Sequence, residues 1–148
     1  MIKLKPFKQS RGYCGPASLK MILSFYGINK SEKELAKLTK ASRDKGCSEI
    51  DIVKIAKKFG FKAHIKKNSS IIELKELTMK GIPVVVDWFS PLENGHYSVV
   101  VGFERDKIII ADPLFGKTMK HKIKWFEDRW FDTPFEKVTK KEVIVIER

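Results

Sequence analysis

Helical periodicity fills the first half of this chain and runs of Val and Ile fill the second, a division that restricts the fold more than any other feature. Leu19, Ile22, Leu23 and Tyr26 recur at helical spacing. Pro16 falls in the first turn, where its missing N–H is no loss, and Gly27 supplies the stop. Ser31 with Glu34 reads as a capping box opening a short helix that turns Leu35 and Leu38 inward. Ser48 with Asp51 repeats that signature ahead of the stripe Ile52, Ile55, Ala56 and Phe59, ended by Gly60. Ser70 and Glu73 open a further helix through Leu74 and Leu77 to Gly81. Between these helices Phe61, Ala63 and Ile65 alternate with polar residues, as a half-buried strand does. Strands are then predicted over residues 82–88, 97–104 and 107–111, the last two joined by a tight turn at Arg105-Asp106, with Pro113 ending the ladder. A short aromatic segment, Trp125–Phe131, is predicted helical, and Val143–Ile146 closes the series as a strand. Helices first and strands later predict an α+β fold with the N-terminal helices packed on an antiparallel sheet.

No linker, repeat or low-complexity tract interrupts this series, and 148 residues suit one domain spanning 1–148. The longest apolar runs are too short to cross a bilayer. The N-terminal M-I-K-L-K-P-F-K has no apolar stretch of the kind an export signal needs. A cytoplasmic setting is therefore expected, with Cys14 and Cys47 as free thiols. The net charge is +12, from 30 basic and 18 acidic residues. Such a balance suits an anionic partner, but the basic residues are mostly Lys and spread from end to end. Without a compact Arg-rich or aromatic-interleaved stripe, a solvated surface is the simpler reading and nucleic-acid binding is not expected.

The chemistry concentrates at Cys14, in the string Q-S-R-G-Y-C-G-P-A-S-L-K-M-I-L-S-F-Y-G, where a loop becomes the first helix. A thiol at a helix N-terminus sits beside unpaired backbone N–H groups and the positive end of the helix dipole, and both favour the nucleophilic thiolate. A base and an orienting group are then required. Of three histidines, His64 lies on the polar side of its strand and His121 in a Lys-rich stretch, so both read as surface residues. His96 follows Asn94-Gly95, read as a turn, and begins the strand Y-S-V-V-V-G-F. Asp112 ends the neighbouring strand, close enough to accept the Nδ1–H of the imidazole and fix its tautomer. Each residue has a plain structural alternative, a turn histidine or an Asp-Pro turn; together, each at an element boundary, they describe an activated nucleophile. Cys47, just before the Ser48 cap, is a rival thiol with no histidine at a recognisable boundary. Two cysteines and three histidines without close pairing match no zinc spacing, so neither metal nor cofactor is expected.

The cysteine string, together with G-H-Y-S-V-V-V-G-F and I-I-I-A-D-P, resembles the papain-like peptidases that process bacteriocin leader peptides, the double-glycine peptidase family, and most closely its free-standing branch. The resemblance covers nearly the whole chain. It implies a papain-like fold and a cysteine peptidase with Cys14 as nucleophile, His96 as general base and acid, Asp112 orienting His96, and Gln9 donating to the oxyanion. Gln9 lies five positions before Cys14, where six is usual in that family. Tyr13 stands where the transporter-linked members carry an acidic residue. The implied partner is a peptide or protein substrate, with the cleavage site and the oligomeric state left open. The same triad also serves non-hydrolytic acyl transfer or amide hydrolysis, and a different class altogether is a non-catalytic basic domain binding peptides or nucleic acid.

Overall fold

The structure is a computed structural model that describes residues 1–133 and 138–148. Helices α1 (Cys14–Phe25), α2 (Glu32–Leu38) and α3 (Glu49–Lys58) come first, then β1 (Lys62–Lys66) and α4 (Ile71–Met79). Strands β2 (Val84–Ser90), β3 (Asn94–Glu104), β4 (Lys107–Asp112) and β5 (Lys117–Lys122) follow, then α5 (Ile123–Glu127), β6 (Phe131–Asp132), β7 (Thr139–Lys140) and β8 (Glu142–Glu147). Six strands form one sheet in the order β1-β8-β2-β3-β4-β5, every neighbour pair antiparallel. The short β6 and β7 pair with each other.

The capping residues read from the sequence do their work. Ser31, Ser48 and Ser70 accept backbone N–H bonds from Glu34, Asp51 and Glu73 at 3.1, 3.2 and 3.1 Å, each satisfying a donor that the helix itself leaves unpaired. Just past its C-cap Tyr26, helix α1 is closed off by Gly27, whose φ of +91° is the left-handed conformation that glycine adopts without strain. Leu19, Ile22 and Leu23 are fully buried, at roughly 1.5–3 kcal/mol each.

The sheet is apolar on both faces, which is why its central strands read as continuous Val/Ile runs. Val85, Val99, Val101 and Ile144 pack with α1 and α3. Val86, Val100, Ile110 and Val143 pack with Leu74 of α4 and Phe126 of α5.

Three expectations shift. Val143–Ile146 does belong to a strand, but β8 lies inside the sheet between β1 and β2; its uniformly apolar run reflects that interior position. Strand β5 falls in the Lys-rich stretch around His121. An edge strand with one wet face carries too few apolar residues to announce itself. The turn before His96 lies earlier than Asn94-Gly95: Asn94 and Gly95 already pair with Ser90 and Phe89, so His96 is the third residue of β3. Among the described residues, no helix is long and apolar enough to cross a membrane.

Candidate active site

Helix α1 begins at Cys14. Its N-cap, Tyr13, makes no side-chain capping bond, and no acidic residue occupies the first turn. The first N–H groups therefore face the groove without a side-chain acceptor, unlike those of α2, α3 and α4. The Tyr13 ring instead packs beneath the Arg43 guanidinium, 5.1 Å from its centroid.

His96 is 1% exposed and Asp112 3%. Val99 stands opposite Ala111, which sets His96 and Asp112 diagonally across the end of the β3–β4 pair. His96 Nε2 and Asp112 Oδ1 are 2.7 Å apart, and the same oxygen accepts from Leu114 N–H at 3.0 Å. The pairing expected from the sequence therefore forms, but through the other ring nitrogen. The ring reaches β4 with its far nitrogen, Nε2, and leaves Nδ1 facing Cys14 and Glu93. Cys14 Sγ, a ring nitrogen of His96 and a Glu93 carboxylate oxygen lie within 4.8 Å of one another. Nδ1 is 2.8 Å from Glu93 Oε1, at an angle outside hydrogen-bond geometry.

Burial is the largest influence on His96 and opposes its charged form. Contacts with Asp112, Cys14 and Glu93 outweigh it and hold the imidazole well above its ordinary pKa. The imidazolium is thus favoured beside the thiol. The Trp88 ring meets the His96 ring edge-on at 6.0 Å, its Nε1–H donates to Ser98 Oγ at 3.0 Å, and Phe126 and Trp125 pack behind it. This aromatic wall keeps water from the His96–Asp112 pair.

His64 is exposed, as expected. His121 is not a plain surface residue: it is half-buried on β5, stacked on Trp125 at 4.6 Å, and desolvation lowers its pKa. Gln9 is 9% exposed. Its backbone N–H donates to Pro113 O at 2.8 Å, its side-chain Nε2 donates to Ser10 O at 3.2 Å, and its Oε1 is buried without a partner among the described residues. This ties the residue to the chain just after Asp112. Cys47 lies close to Gly15, where a Cβ would collide with its Sγ. Burial first, then the neighbouring Cys14, Asp51 and Glu49, push the Cys47 thiol up to about 12.

A groove of about 700 Å³ runs past Cys14 and His96, with Cys47, Tyr97, Asp87 and Asp132 further along its wall. Glu93 is the site residue that sequence reasoning passed over. The available signal was an acid three residues before the histidine, legible only once the intervening turn is known.

Fold and site together define a papain-like cysteine peptidase. The chain belongs to the Peptidase C39 family, whose model matches residues 5–139. It is 35% identical over 119 residues to the transport/processing ATP-binding protein ComA of Streptococcus pneumoniae, a match covering 79% of this chain and 16% of ComA. The chain therefore spans about one sixth of that relative's length. The solved peptidase domain of Streptococcus ComA superposes with a TM-score of 0.80 at 26% identity, over 98% of both chains. A double glycine motif protease from an AMS/PCAT transporter, solved with a leader peptide, shares the fold at a TM-score of 0.72 and 23% identity, over 98% of this chain and 91% of that one.

Proposed function

We propose that residues 1–148 act as one peptidase domain that hydrolyses a peptide bond through Cys14, His96 and Asp112. The observation that carries this reading is the buried His96–Asp112 pair at 2.7 Å with the other face of the imidazole turned to Cys14. Cys14 Sγ attacks the scissile carbonyl carbon, and His96 Nδ1–H gives its proton to the departing amine as the C–N bond breaks. Water then attacks the thioester, with His96 taking its proton and returning it to the Cys14 sulfur. Asp112 holds Nε2–H throughout, fixing the ring's tautomer and supporting its charge. The oxyanion is stabilised by the Cys14 backbone N–H, with Gln9 Nε2, which donates to Ser10 O in this structure, as the second donor once its amide turns to the groove; each donor contributes about 3–4 kcal/mol in comparable sites.

The substrate is a peptide lying along the groove. The relatives' association with leader peptides makes a Gly-Gly-containing leader the first sequence to try. We infer a reducing compartment such as the cytoplasm, the setting in which a Cys14 nucleophile stays a free thiol. The test is a set of extended peptides with and without Gly-Gly, followed by mass spectrometry of the products. Wild-type chain should release two fragments with a free carboxylate at the cut, and Cys14→Ala should release none. Cleavage that persists in Cys14→Ala would refute the assignment.

A further inference from the structure

Beyond the Cys14–His96 pair, four carboxylates from four different elements converge at the groove: Glu49 of α3, Asp87 of β2, Asp132 of β6 and Glu142 of β8. One oxygen each from Glu49, Asp87 and Glu142 lies within 4.8 Å of the others. Asp132 faces Asp87 directly, and Gly95 leaves the room, since a Cβ there would strike the Asp132 carboxylate. Asp87 is 3% exposed and Glu142 2%, yet Asp87 Oδ2 and Glu142 Oε1 have no hydrogen-bond partner among the described residues. None of the four carboxylates forms an ion pair with a described Lys or Arg. Buried, unpaired carboxylates in mutual contact are costly, and such groups are ordinarily paired or bound to a cation.

We propose that Glu49, Asp87 and Glu142, with Asp132 alongside, form a binding site for a hard divalent cation of calcium size. The ligand atoms are all oxygens, which hard cations prefer and zinc-type sites do not. Three carboxylates within reach of one another and a fourth alongside make the oxygen-rich, adaptable shell that Ca²⁺ takes, whereas Mg²⁺ keeps several waters and is ordinarily held by one or two carboxylates. Glu49, Asp87 and Asp132 line the groove, while Glu142 closes the cluster from the sheet interior. A ligand that touches all of them reaches below the groove-lining acids to Glu142, which a bare ion does with the least steric demand. The bound ion ties α3, β2, β6 and β8 together next to the nucleophile. It acts by fixing the groove, because Cys14 and His96 are not among its ligands. Cys/His spacing in the sequence gave no hint of this site, since its ligands are carboxylates scattered over the whole length of the chain.

Terbium tests the site, because Tyr97, whose hydroxyl is 3.0 Å from Glu49 Oε1, stands where it sensitises emission from a lanthanide held there. Wild-type chain stripped with a chelator should give tyrosine-excited Tb³⁺ luminescence that Ca²⁺ displaces at lower concentration than Mg²⁺. Ca²⁺ should also raise its melting temperature. Asp87→Asn and Glu142→Gln should each weaken Ca²⁺ by at least about tenfold, and Cys14→Ala should keep wild-type affinity. Should either buried variant not fold, Glu49→Gln, on the half-buried end of α3, makes the same test. Absence of sensitised emission and of a thermal shift in wild type overturns the proposal. So does equal Ca²⁺ affinity in the folded variants. Loss of binding in Cys14→Ala would move the ion to the Cys14–His96–Glu93 cluster, and protection by a lysine-containing peptide without any by Ca²⁺ would reassign the carboxylates to substrate; both refute it.

Discussion

The two cysteines stand at the starts of two helices on the same groove, and their surroundings have opposite characters. Cys14 is the first residue of α1, with no side-chain cap, no acid in the first turn and the raised-pKa imidazole of His96 beside it. Cys47 lies two residues before α3, whose N-terminal donor is taken by Ser48 Oγ and whose first turn carries Glu49 and Asp51. Burial and those acids push Cys47 up to about 12. A helix N-terminus favours a nucleophilic thiolate when its donors are left free and a cation faces the sulfur, and of the two cysteines Cys14 has those surroundings. At α3 the same feature has been spent on capping.

The sharpest test of this contrast is deletion of each sulfur. Cys14→Ala should reduce peptide turnover by at least about 10⁴-fold, and His96→Ala by a similar factor, because the two act as a unit. Cys47→Ala should retain turnover within about threefold, as a half-buried small side chain outside the reaction. Equal losses from the two cysteine variants would dissolve the distinction between them.

Next in size is Asp112→Asn, with an expected fall in kcat of about 10²–10⁴-fold. The pH dependence gives it a signature beyond lost activity. Asp112 helps to raise the His96 pKa, so the imidazolium persists as pH climbs past its ordinary range. Removing the carboxylate lowers that pKa, and the alkaline limb of kcat/KM should move to lower pH. An unmoved limb would mean that Asp112 only shapes the Asp-Pro turn, through its bond to Leu114 N–H. Gln9→Ala should cost about 10²-fold in kcat with KM little changed, through its amide at the oxyanion; a change confined to KM or to stability would make it a strut between the loop before α1 and Pro113.

The smallest effect is chemical. Iodoacetamide at pH 8 should label Cys14 well before Cys47, whose thiol stays protonated there, and His96→Ala should slow only the Cys14 reaction. Peptide mapping over time reads both rates in one sample, and matched rates would undo the contrast drawn between the two helix ends.

Much of this was local enough to be read directly. The serine caps, the glycine stops and the Cys14 position depend on neighbours within a turn or two of chain, and the periodicity that buries Leu19, Ile22 and Leu23 is written in consecutive residues. His96 is the histidine that meets Asp112 and stands by Cys14, although the turn before it lies earlier than Asn94-Gly95. The ring nitrogen that meets Asp112 was not legible, since it depends on how one side chain turns across a strand pair. Glu93 was hidden by the misplaced turn, and β5 by its polar edge position.

The sequence by itself determined the helix-then-strand order, the α+β class and the residues able to supply nucleophile, base and carboxylate, because short-range backbone and side-chain preferences suffice for those. Only the tertiary structure decided that β8 runs inside the sheet, that Cys47 is half-buried among acids, and that four distant carboxylates converge beside one groove. Burial and charge proximity are sums over atoms brought together from the whole chain, and it is those sums that separate two cysteines with the same kind of address.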